Sequence, residues 1–391
     1  MCPSYRATRD ERDLTRGRAN TLRLALSGQL GSEEQASTAV REALDLCVSC
    51  KGCKRECPTG VDMARMKIEF RARERRLRGL TLRDRVIAHL PRYAPWASRA
   101  QPLLGALSRL PGAGALLEAT IGFDRRRPLP AWRKSWVANH RPKAGAGGRP
   151  VVLFPDTFNN WFEPENLDAA VRVLEATGHE VTVVRAGDGK PLCCGRTYLT
   201  AGMVDEAREV AARTVEALRP FVERGVAIVG LEPSCLFTFR DEYGALLPGD
   251  RDAERLGRAS FLADEYLAAE IKAGRVSPPW RKAPPEAIRV HGHCHQKAFA
   301  TFDATLDLLR SIPGADVAPI ESSCCGMAGS FGHEVGHYEV SLKMAELALL
   351  PAVRAAPQAA IVAAGTSCRS QIAHGAGRRA LHPLALLAEC L

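Results

Sequence analysis

The sequence predicts an α+β protein in which a small helical domain is followed by two repeated α/β domains. Three observations support this prediction. The first third of the chain contains short helical segments separated by prolines. From residue 151 onward, apolar β-like runs alternate with helical patterns, which is typical of parallel sheets covered by helices. The cysteine pattern of this second part occurs twice, so the α/β unit is repeated.

The composition indicates a folded, cytosolic protein with metal-binding cysteines. The 391 residues are 46% hydrophobic and 25% charged, which allows two or three domains and excludes a disordered or fibrous chain. No stretch approaches the roughly 18 uncharged apolar residues of a membrane span, and Met1 does not lead into a signal peptide. We therefore expect a cytoplasmic protein, with peripheral contact at the inner face of the membrane as a further expectation. Because the cytosol keeps thiols reduced, the thirteen cysteines favour metal ligation over disulfides.

Charge is distributed unevenly along the chain. Residues 1–150 contain 30 Lys and Arg against 14 Asp and Glu, whereas the remainder has a net charge of −6. A basic front half suits an acidic protein, an anionic membrane surface or nucleic acid. Nucleic acid is disfavoured as a partner, because the basic positions are not interleaved with base-stacking aromatic residues. The expected contact patch, for which a merely solvated helix face is the alternative, contains Arg71, Arg73, Arg75, Arg76 and Arg78.

The first domain is expected to occupy residues 1–123. Helices are predicted over 37–46 and 61–78, and prolines then divide the chain into short pieces. A segment rich in Pro, Gly and Arg follows over 124–150 without apolar periodicity, and it is interpreted as a linker. The run Gly145–Gly148 precedes a strand, so it is interpreted as part of the linker rather than as a phosphate-binding loop.

The two α/β domains are expected over 151–286 and 287–391. The predicted strands are 151–154, 180–184, 226–231, 287–290 and 361–364, and the predicted helices include 167–177 and 204–218. Open α/β sheets carry their sites at the carboxyl ends of the strands. Cys235 and Cys368 each follow a predicted strand, so both are expected at such an end.

The strongest signal is a run of cysteines in the first domain, with the spacing of bacterial 4Fe-4S ferredoxins. It consists of Cys47, Cys50, Cys53 and Cys57, followed by a proline. The first three thiolates can bind one cubane from a tight loop, whereas the fourth points toward a neighbouring cluster. A zinc site normally uses two separated cysteine pairs, so zinc is disfavoured.

The spacing of the run leaves the fourth ligand of this cluster to be found elsewhere. Cys2, with the proline after it, has the form of the end of another such run. The predicted 4Fe-4S cluster is therefore bound by Cys2, Cys47, Cys50 and Cys53. Cys57 would bind a second cluster whose other three ligands lie outside this chain, in a longer polypeptide or on a partner. In the alternative, Cys57 completes the first cluster and Cys2 has no role.

Adjacent cysteine pairs mark both α/β domains. The first has Cys193, Cys194 and Cys235, and the second has Cys294, Cys324, Cys325 and Cys368. Adjacent residues of a strand point in opposite directions, so a pair of this kind suits a multi-iron cluster better than one metal ion. The glycines after the second pair let backbone N–H groups approach a cluster. The first α/β domain lacks a leading cysteine and is interpreted as a degenerate site, with Asp156 or Asn159 near the expected position.

Three histidines surround the leading cysteine of the second α/β domain. The pattern predicts a strand with His291, His293 and His295 on one face and the Cys294 thiol on the other. Hydrogen bonding to a cluster is the favoured role of these imidazoles, and direct ligation is the alternative.

Taken together, these motifs resemble the iron–sulfur half of FAD-linked 2-hydroxyacid dehydrogenases. The resemblance covers essentially the whole chain. It rests on the ferredoxin run, Cys2–Tyr5, Thr15–Asn20, Cys193–Gly195, Glu232–Cys235 and Gly365–Cys368. The family includes the glycolate oxidase iron–sulfur subunit, fused D-lactate or D-2-hydroxyglutarate dehydrogenases and the cysteine-rich subunit of heterodisulfide reductase. In it, a ferredoxin domain precedes two cysteine-rich CCG domains.

The resemblance implies an electron-transfer component of a flavin-dependent 2-hydroxyacid dehydrogenase. FAD on a partner subunit or a further domain would oxidise glycolate, D-lactate or D-2-hydroxyglutarate, and this chain would pass the electrons to a quinone or another acceptor. The resemblance also implies a cluster at the four cysteines of the second CCG domain. No Gly-x-Gly-x-x-Gly motif follows a strand, so substrate oxidation is expected elsewhere. The alternative is a thiol–disulfide redox enzyme that acts at the same four cysteines.

Overall fold

The structure, a computed structural model, describes residues 2–141, 147–281 and 287–391. Residues 2–141 are helical. Their helices are α1 (Pro3–Thr8), α2 (Thr15–Leu26), α3 (Glu33–Asp45), α4 (Gly52–Glu56), α5 (Met63–Arg78), α6 (Leu82–Ala88), α7 (Leu90–Arg99), α8 (Gln101–Leu107), α9 (Ala113–Ile121) and α10 (Trp136–Asn139), with a 3-10 helix at Glu11–Asp13. Pro91 and Pro102 occupy the first turns of α7 and α8, where a missing N–H costs no helical hydrogen bond.

The two helices that flank the ferredoxin run begin at side-chain caps. Ser32 caps α3 by accepting a hydrogen bond from the backbone N–H of Gln35, whose side chain bonds back to Ser32. Asp62 caps α5 by accepting from two backbone N–H groups of the first turn. These caps explain why α3 begins four residues before the predicted helix and why α5 begins two residues after it.

The first α/β unit contains a four-stranded sheet. Its strands are β1 (Arg149–Phe154), β2 (His179–Thr182), β3 (Ala227–Gly230) and β4 (Ser260–Leu262). They lie in the order β2-β1-β3-β4, and every pair is parallel. The helices of this unit are α11 (Thr157–Trp161), α12 (Pro164–Ala176), α13 (Arg196–Thr200), α14 (Val204–Glu223), α15 (Pro233–Arg240), α16 (Tyr243–Leu246), α17 (Arg251–Ala259) and α18 (Ala263–Lys272).

The second unit repeats this arrangement. Its strands are β5 (Ile288–His291), β6 (Val317–Pro319), β7 (Ala360–Ala363) and β8 (Ala380–Leu381), parallel in the order β6-β5-β7-β8. Its helices are α19 (Cys294–Ala298), α20 (Phe302–Arg310), α21 (Tyr338–Glu346), α22 (Leu349–Ala355), α23 (Thr366–Ala376) and α24 (Pro383–Glu389), with a 3-10 helix at Phe331–His333. The predicted α+β class with two repeated parallel α/β units is confirmed.

The two α/β units share one apolar core. Helix α12 of the first unit packs on α24 of the second, and α18 packs on α20. Buried residues of both sheets, including Leu153 and Val290, belong to the same cluster of side chains. At the carboxyl ends of the strands, Glu232 accepts a hydrogen bond from the backbone N–H of Thr366 at 2.8 Å. The ends of the two sheets that carry cysteines therefore face each other.

The N-terminal helices contact both units. Helix α1 packs on α21, and α4 packs on α19. Lys51 is buried and forms ion pairs with Asp241 at 2.5 Å, Glu242 at 3.0 Å and Asp62 at 3.2 Å. A lysine inside the ferredoxin run thus connects that loop to the first α/β unit.

The segment expected to be a linker is anchored where it is described. Arg127 is buried, and its guanidinium donates to the carbonyl of Gly332 and to Gln371 in the second unit. Trp136 in α10 is also buried and donates to Asp168 of the first unit. Residues 142–146, which include part of the glycine run, lie outside the described residues. The domain limits remain a prediction.

In the described ranges, no helix is both long enough and apolar enough to cross a bilayer.

Candidate metal centres

The first part of the ferredoxin run forms a tight loop between α3 and α4, and Cys53 lies in α4. Ser49 and Lys51, which alternate with the cysteines, have left-handed backbone conformations with φ of 51° and 59°. Such conformations are costly for residues with a Cβ and recur at functional loops. They turn the backbone so that the cysteine side chains converge. Because α4 begins directly after Lys51, the chain bends at this residue to enter the helix.

Four thiols meet at this loop. Burial raises the pKa of Cys50 and of Cys53, and the thiols of Cys47 and Cys2 raise both further through their negative charge. Cys57 is not among these neighbours: its thiol bonds to the Thr59 hydroxyl at 3.1 Å. Hydrogen bonds from Thr59 and the backbone lower the pKa of Cys57 below the ordinary thiol value. The arrangement thus brings Cys2 to the run and turns Cys57 away.

Cys2 is held next to a buried cation. Arg18 is 1% exposed and donates to the Cys2 sulfur at 3.6 Å, to Ser4 and to the carbonyl of Ala43. Helix α2, which carries Arg18, lies so close to the preceding 3-10 helix that a Cβ at Gly17 would lie 2.0 Å from the carbonyl oxygen of Glu11. A guanidinium at this depth favours a negatively charged group beside it.

A second set of thiols lies at the carboxyl end of the sheet in the second unit. Cys324 contacts Cys294 and Cys325, and these contacts together with burial raise the pKa of Cys324. Contact with Cys325 and burial likewise raise the pKa of Cys368. Buried thiols of raised pKa become thiolates when a metal supplies the compensating positive charge.

The cysteine pair does not lie in a strand as the sequence interpretation assumed. Cys324 and Cys325 lie in a loop that ends at Gly326, whose φ is +82°. A Cβ at Gly326 would lie 2.3 Å from the Ser341 carbonyl oxygen, so only glycine fits. The backbone N–H of Gly326 donates to the Cys324 sulfur at 3.4 Å, which is the predicted approach of a glycine N–H to the centre.

The predicted strand of histidines is wrong. Strand β5 ends at His291, and His293 caps α19 by accepting from the backbone N–H of His295 at 3.1 Å, so the three imidazoles point in different directions. The reason is that Cys294 begins a helix rather than continuing the strand. His295 donates to the carbonyl of Ser49 at 3.1 Å, and burial lowers its pKa to about 4.

His291 remains a candidate ligand of the second centre. One of its ring nitrogens lies within 4.8 Å of the sulfurs of Cys325 and Cys368, which also lie within that distance of each other. Its Nδ1 bonds to the Ser322 hydroxyl at 2.8 Å, whereas its Nε2 is buried and has no partner among the described residues. Sequence reasoning left both hydrogen bonding and ligation open for this residue, and its geometry allows either.

A lysine that the sequence reasoning missed also faces the second centre. Lys297, one turn after Cys294, is affected by the charges of three cysteines of this set, while burial lowers its pKa. Gly292 leaves room for it: a Cβ there would lie 2.7 Å from Lys297 Cε and 2.7 Å from the ring of Phe302. The signal was present in the sequence as Gly292 and Lys297 on either side of the cysteine, but without the fold neither position pointed at the centre.

The third set of thiols, in the first unit, repeats the second set without its leading cysteine. Cys194 contacts Cys193 and Cys235, and the backbone N–H of Gly195 donates to the Cys193 sulfur at 3.4 Å. Asp156 is buried, but its carboxylate caps α11 by accepting from two backbone N–H groups. The Thr157 hydroxyl lies 3.8 Å from the Cys193 sulfur.

The first two centres adjoin each other. The charge of Cys294 is the largest electrostatic influence on Cys50, and both side chains belong to one apolar cluster with Val48 and Cys324. The two loops are joined by the hydrogen bond from His295 to Ser49. The ferredoxin loop therefore lies directly against the second cysteine-rich centre.

A buried carboxylate lies between the second and third centres. Glu232 is 3% exposed, approaches His293 Nε2 at 3.9 Å and bonds to Thr366. Burial and the charge of Glu232 raise the pKa of Asp156 to about 7. Glu232 is thus shared by both units.

The donor sets fit iron–sulfur clusters. Soft thiolates converge in buried loops, backbone N–H groups of Gly195 and Gly326 point at sulfur, and the cations of Arg18 and Lys297 lie beside them. The residues that would hold a cluster are Cys2, Cys47, Cys50 and Cys53 in the first centre and Cys294, Cys324, Cys325 and Cys368 in the second. These assignments remain predictions.

Two protein families match parts of the chain. The family described as "4Fe-4S dicluster domain" matches residues 1–61. The family described as "Cysteine-rich domain", CCG, matches residues 156–240 and 288–373. The two matches of the second family coincide with the two α/β units.

Several curated proteins are similar over most of the chain. D-2-hydroxyglutarate dehydrogenase of Escherichia coli K12 is 27% identical over 92% of the chain, which spans 35% of that protein. One of the subunits of the anaerobic glycerol-3-phosphate dehydrogenase of the same organism is 28% identical over 80% of the chain and 78% of that protein. Its glycolate oxidase iron–sulfur subunit is 24% identical over 100% of the chain and 91% of that protein. The chain thus spans about a third of the first relative.

Proposed function

We propose that this chain, which combines a 4Fe-4S dicluster domain with two CCG domains and is homologous to the glycolate oxidase iron–sulfur subunit, is the electron-transfer component of a flavin-dependent 2-hydroxyacid dehydrogenase. The flavin resides on a partner subunit or a further domain. The substrate class is glycolate, D-lactate or D-2-hydroxyglutarate. The relatives named as an oxidase subunit and as dehydrogenases support this proposal.

The observation that carries the proposal is the contact between the ferredoxin loop and the second cysteine-rich centre. Cys50 and Cys294 lie in one apolar cluster, and the Ser49 carbonyl accepts from His295. Two separate structural clusters would not need adjoining loops. When bound, iron–sulfur clusters accept and release single electrons.

The residues of this chain would bind the clusters, exclude water from the space between them and fix their relative position. Cys47 and Cys324 are buried, and Val48, Phe331 and Met344 exclude water between the two loops. Lys51 fixes the ferredoxin loop to the first unit through its buried ion pairs. These contacts hold the two thiol sets in a constant relation, which efficient electron transfer requires.

The test compares the parent with Cys47→Ser and Cys324→Ser after anaerobic purification. Iron and acid-labile sulfide are counted, and the reduced proteins are studied by EPR. We expect a distinguishable reducible signal from each of these two centres in the parent, one lost in each variant. Zinc in place of iron, or two signals unaffected by either substitution, would disprove the proposal. Cys390→Ser, outside all three sets, is the matched control.

The ligand exchange at the first centre is tested with two further variants. We expect Cys2→Ser to lose the ferredoxin signal and Cys57→Ser to retain it, because the charge of Cys2 acts on Cys50 and Cys53, whereas the Cys57 thiol bonds to Thr59. The reverse result would assign Cys57 to the first cluster and leave Cys2 without a role.

For the acceptor, we propose a quinone in an anionic membrane that the helices α7 to α9 contact. The chain carries no Asp or Glu between Arg85 and Leu117. The exposed apolar side chains on and between these helices include Trp96, Leu103, Leu107, Leu110 and Leu116, which are 69%, 62%, 45%, 57% and 65% exposed. Exposed apolar side chains among arginines are typical of helices that lie in a membrane interface.

We favour this surface over the arginine patch predicted on α5 as the contact. Arg75 is paired with Glu206 at 2.6 Å, Arg73 with Glu33, and Arg71 donates to the Thr200 carbonyl. These three arginines bond within the molecule, which the sequence could not indicate, whereas Arg76 and Arg78 are exposed.

Vesicle sedimentation tests the membrane contact. The parent should sediment with vesicles of anionic phospholipid more than with zwitterionic ones, and the double variant Trp96→Ala, Leu103→Gln should lose most of this binding. Leu26→Gln is the control, because Leu26 is 81% exposed on α2. Equal binding by both variants would refute the assigned surface. Reduction of a quinone analogue by the reduced protein, added with and without vesicles, checks the acceptor.

A further inference from the structure

The cysteine loops of the two α/β units have matching helix caps and backbone conformations. Asp156 caps α11 as His293 caps α19, so Thr157 and Cys294 are the first residues of equivalent helices. Gly195 and Gly326 have φ of +83° and +82°, and each donates to the sulfur two residues earlier at 3.4 Å. Thr157 therefore occupies the position of the missing leading cysteine.

The contacts agree with this equivalence. The Thr157 hydroxyl lies 3.8 Å from the Cys193 sulfur, and Cys294 contacts the equivalent Cys324.

The two candidates suggested by the sequence, Asp156 and Asn159, form hydrogen bonds with other groups. The Asp156 carboxylate accepts from the N–H groups of Phe158 and Asn159 and from the Asn159 side chain at 2.7 Å. The Asn159 side-chain oxygen accepts from Asn166 at 3.0 Å. Neither side chain is available to a metal at the thiols, whereas the Thr157 hydroxyl faces Cys193.

The surroundings of the three thiols suit an anionic centre. Arg196 directly follows Gly195, and its pKa is raised by Glu242 and by the charges of Cys194 and Cys235, although burial opposes this. The Tyr243 side chain is fully buried beside the same thiols. A cation next to buried thiols compensates the negative charge that metal-bound thiolates retain.

We propose that the first cysteine-rich unit binds an iron–sulfur centre through Cys193, Cys194 and Cys235, with Thr157 beside a fourth, exchangeable iron position. That position takes an oxygen ligand or a small anion. A neutral hydroxyl is a weaker ligand than a thiolate, so this iron is more easily lost and more open to added ligands than the second centre. The inference rests on the proposed iron–sulfur function.

The experiment uses the full chain with Cys324→Ser, so that the second centre does not contribute. In this background the parent is compared with Thr157→Cys, Thr157→Val and Cys194→Ser after anaerobic loading with iron and sulfide. We measure iron retained in the presence of a chelator, and the EPR spectrum with and without cyanide as the small-anion probe.

We expect Cys194→Ser to lose iron beyond that of the ferredoxin loop. Thr157→Cys should retain the additional iron at least about tenfold longer, and cyanide should change its EPR spectrum less than that of the parent. Thr157→Val, which keeps the shape without the oxygen, should lose iron no more slowly than the parent.

Two results would overturn the proposal. If Cys194→Ser leaves the iron count unchanged, the first unit holds no centre. If Thr157→Cys retains iron no longer than the parent, residue 157 does not adjoin the open position. Cys47→Ser distinguishes failure of this proposal from failure of the iron–sulfur function itself. If the chain binds no iron–sulfur cluster at all, Cys47→Ser would also leave the iron count unchanged.

Discussion

At the scale of single residues, the centres depend on small side chains that make room for larger ones. Gly365, Gly292 and Gly326 each occupy a place where a Cβ would lie closer than 3.0 Å to a neighbour. In the first two cases the neighbour is a charged or titratable residue of the second centre, His293 or Lys297. These glycines leave room for neighbouring side chains of the centre, and their role is not to provide backbone flexibility.

The substitution Gly365→Ala tests this role. The added Cβ would lie 2.4 Å from His293 and 3.4 Å from the Cys368 sulfur, so we expect a loss of about 1–3 kcal/mol in stability and reduced iron in the second centre. Gly105→Ala is the matched control, since no atom lies within 4 Å of its added Cβ in α8. Chemical denaturation and iron counts check both, and equal behaviour of the two variants would contradict the argument.

A second residue-scale prediction concerns charge. Lys297 lies near Cys294, Cys324 and Cys368, and a cation stabilises the reduced, more negative state of a bound cluster. Lys297→Met should therefore make the reduction potential of the second centre more negative, while the ferredoxin signal stays unchanged. EPR-monitored redox titration measures both, and an unchanged potential would remove Lys297 from the centre's environment.

At the scale of elements, one buried group of charges joins the ferredoxin loop to α15 and α5. Asp241 is 3% exposed on its side chain and pairs with Lys51 at 2.5 Å, Lys54 at 2.5 Å and Arg65 at 2.6 Å. Burial opposes its ionisation, but these cations outweigh burial and hold the pKa of Asp241 below its usual range. The position of the loop therefore depends on one carboxylate outside its own domain.

We expect Asp241→Asn to destabilise the protein by about 3–5 kcal/mol, because buried cations lose their partner. A lowered folded-state pKa adds stability above the unfolded value of about 3.9, and this stability is lost as the pH falls through the folded-state pKa. The difference between parent and variant should therefore shrink below about pH 4. Denaturation at pH 7 and pH 3.5 checks it, and a constant difference would exclude Asp241 as the cause.

At the scale of the whole molecule, three centres follow one another. The ferredoxin loop adjoins the second centre at Cys50 and Cys294, and Glu232 lies between the second centre and the first unit. The two CCG units are therefore not equivalent in the molecule, although their sheets are.

The adjoining loops predict a magnetic interaction. When both clusters are reduced, their unpaired spins should be close enough to broaden or split each other's EPR signals. In Cys324→Ser the ferredoxin signal should become narrow and simple. A parent spectrum equal to the sum of the two single-centre spectra would place the clusters farther apart than the loops indicate.

The sequence predicted the individual elements better than the contacts between them. Apolar runs and the repeated cysteine pair were enough for the strands and the two-unit repeat, and the family resemblance is confirmed. The placement of Thr157 was missed, because a hydroxyl carries no metal-binding signature and only the matching helix caps of the two units reveal it. The packing of Cys50 and Cys294 in one apolar cluster was also out of reach, since it arises from docking contacts such as Lys51 with Asp241.

The position of Cys2 has a consequence for how the protein forms. A cluster that binds Cys2 together with Cys47 closes a loop of the intervening chain, as a disulfide would, and such a cross-link removes conformational freedom from the unfolded state. The predicted cluster would thus tie α1 to the ferredoxin loop through the metal. In the iron-free chain the first helix would be held by non-covalent contacts alone, among them its packing on α21 and on the 3-10 helix and the hydrogen bonds of Ser4 with Arg18 and Asp13, so we expect proteolysis of that chain to begin there.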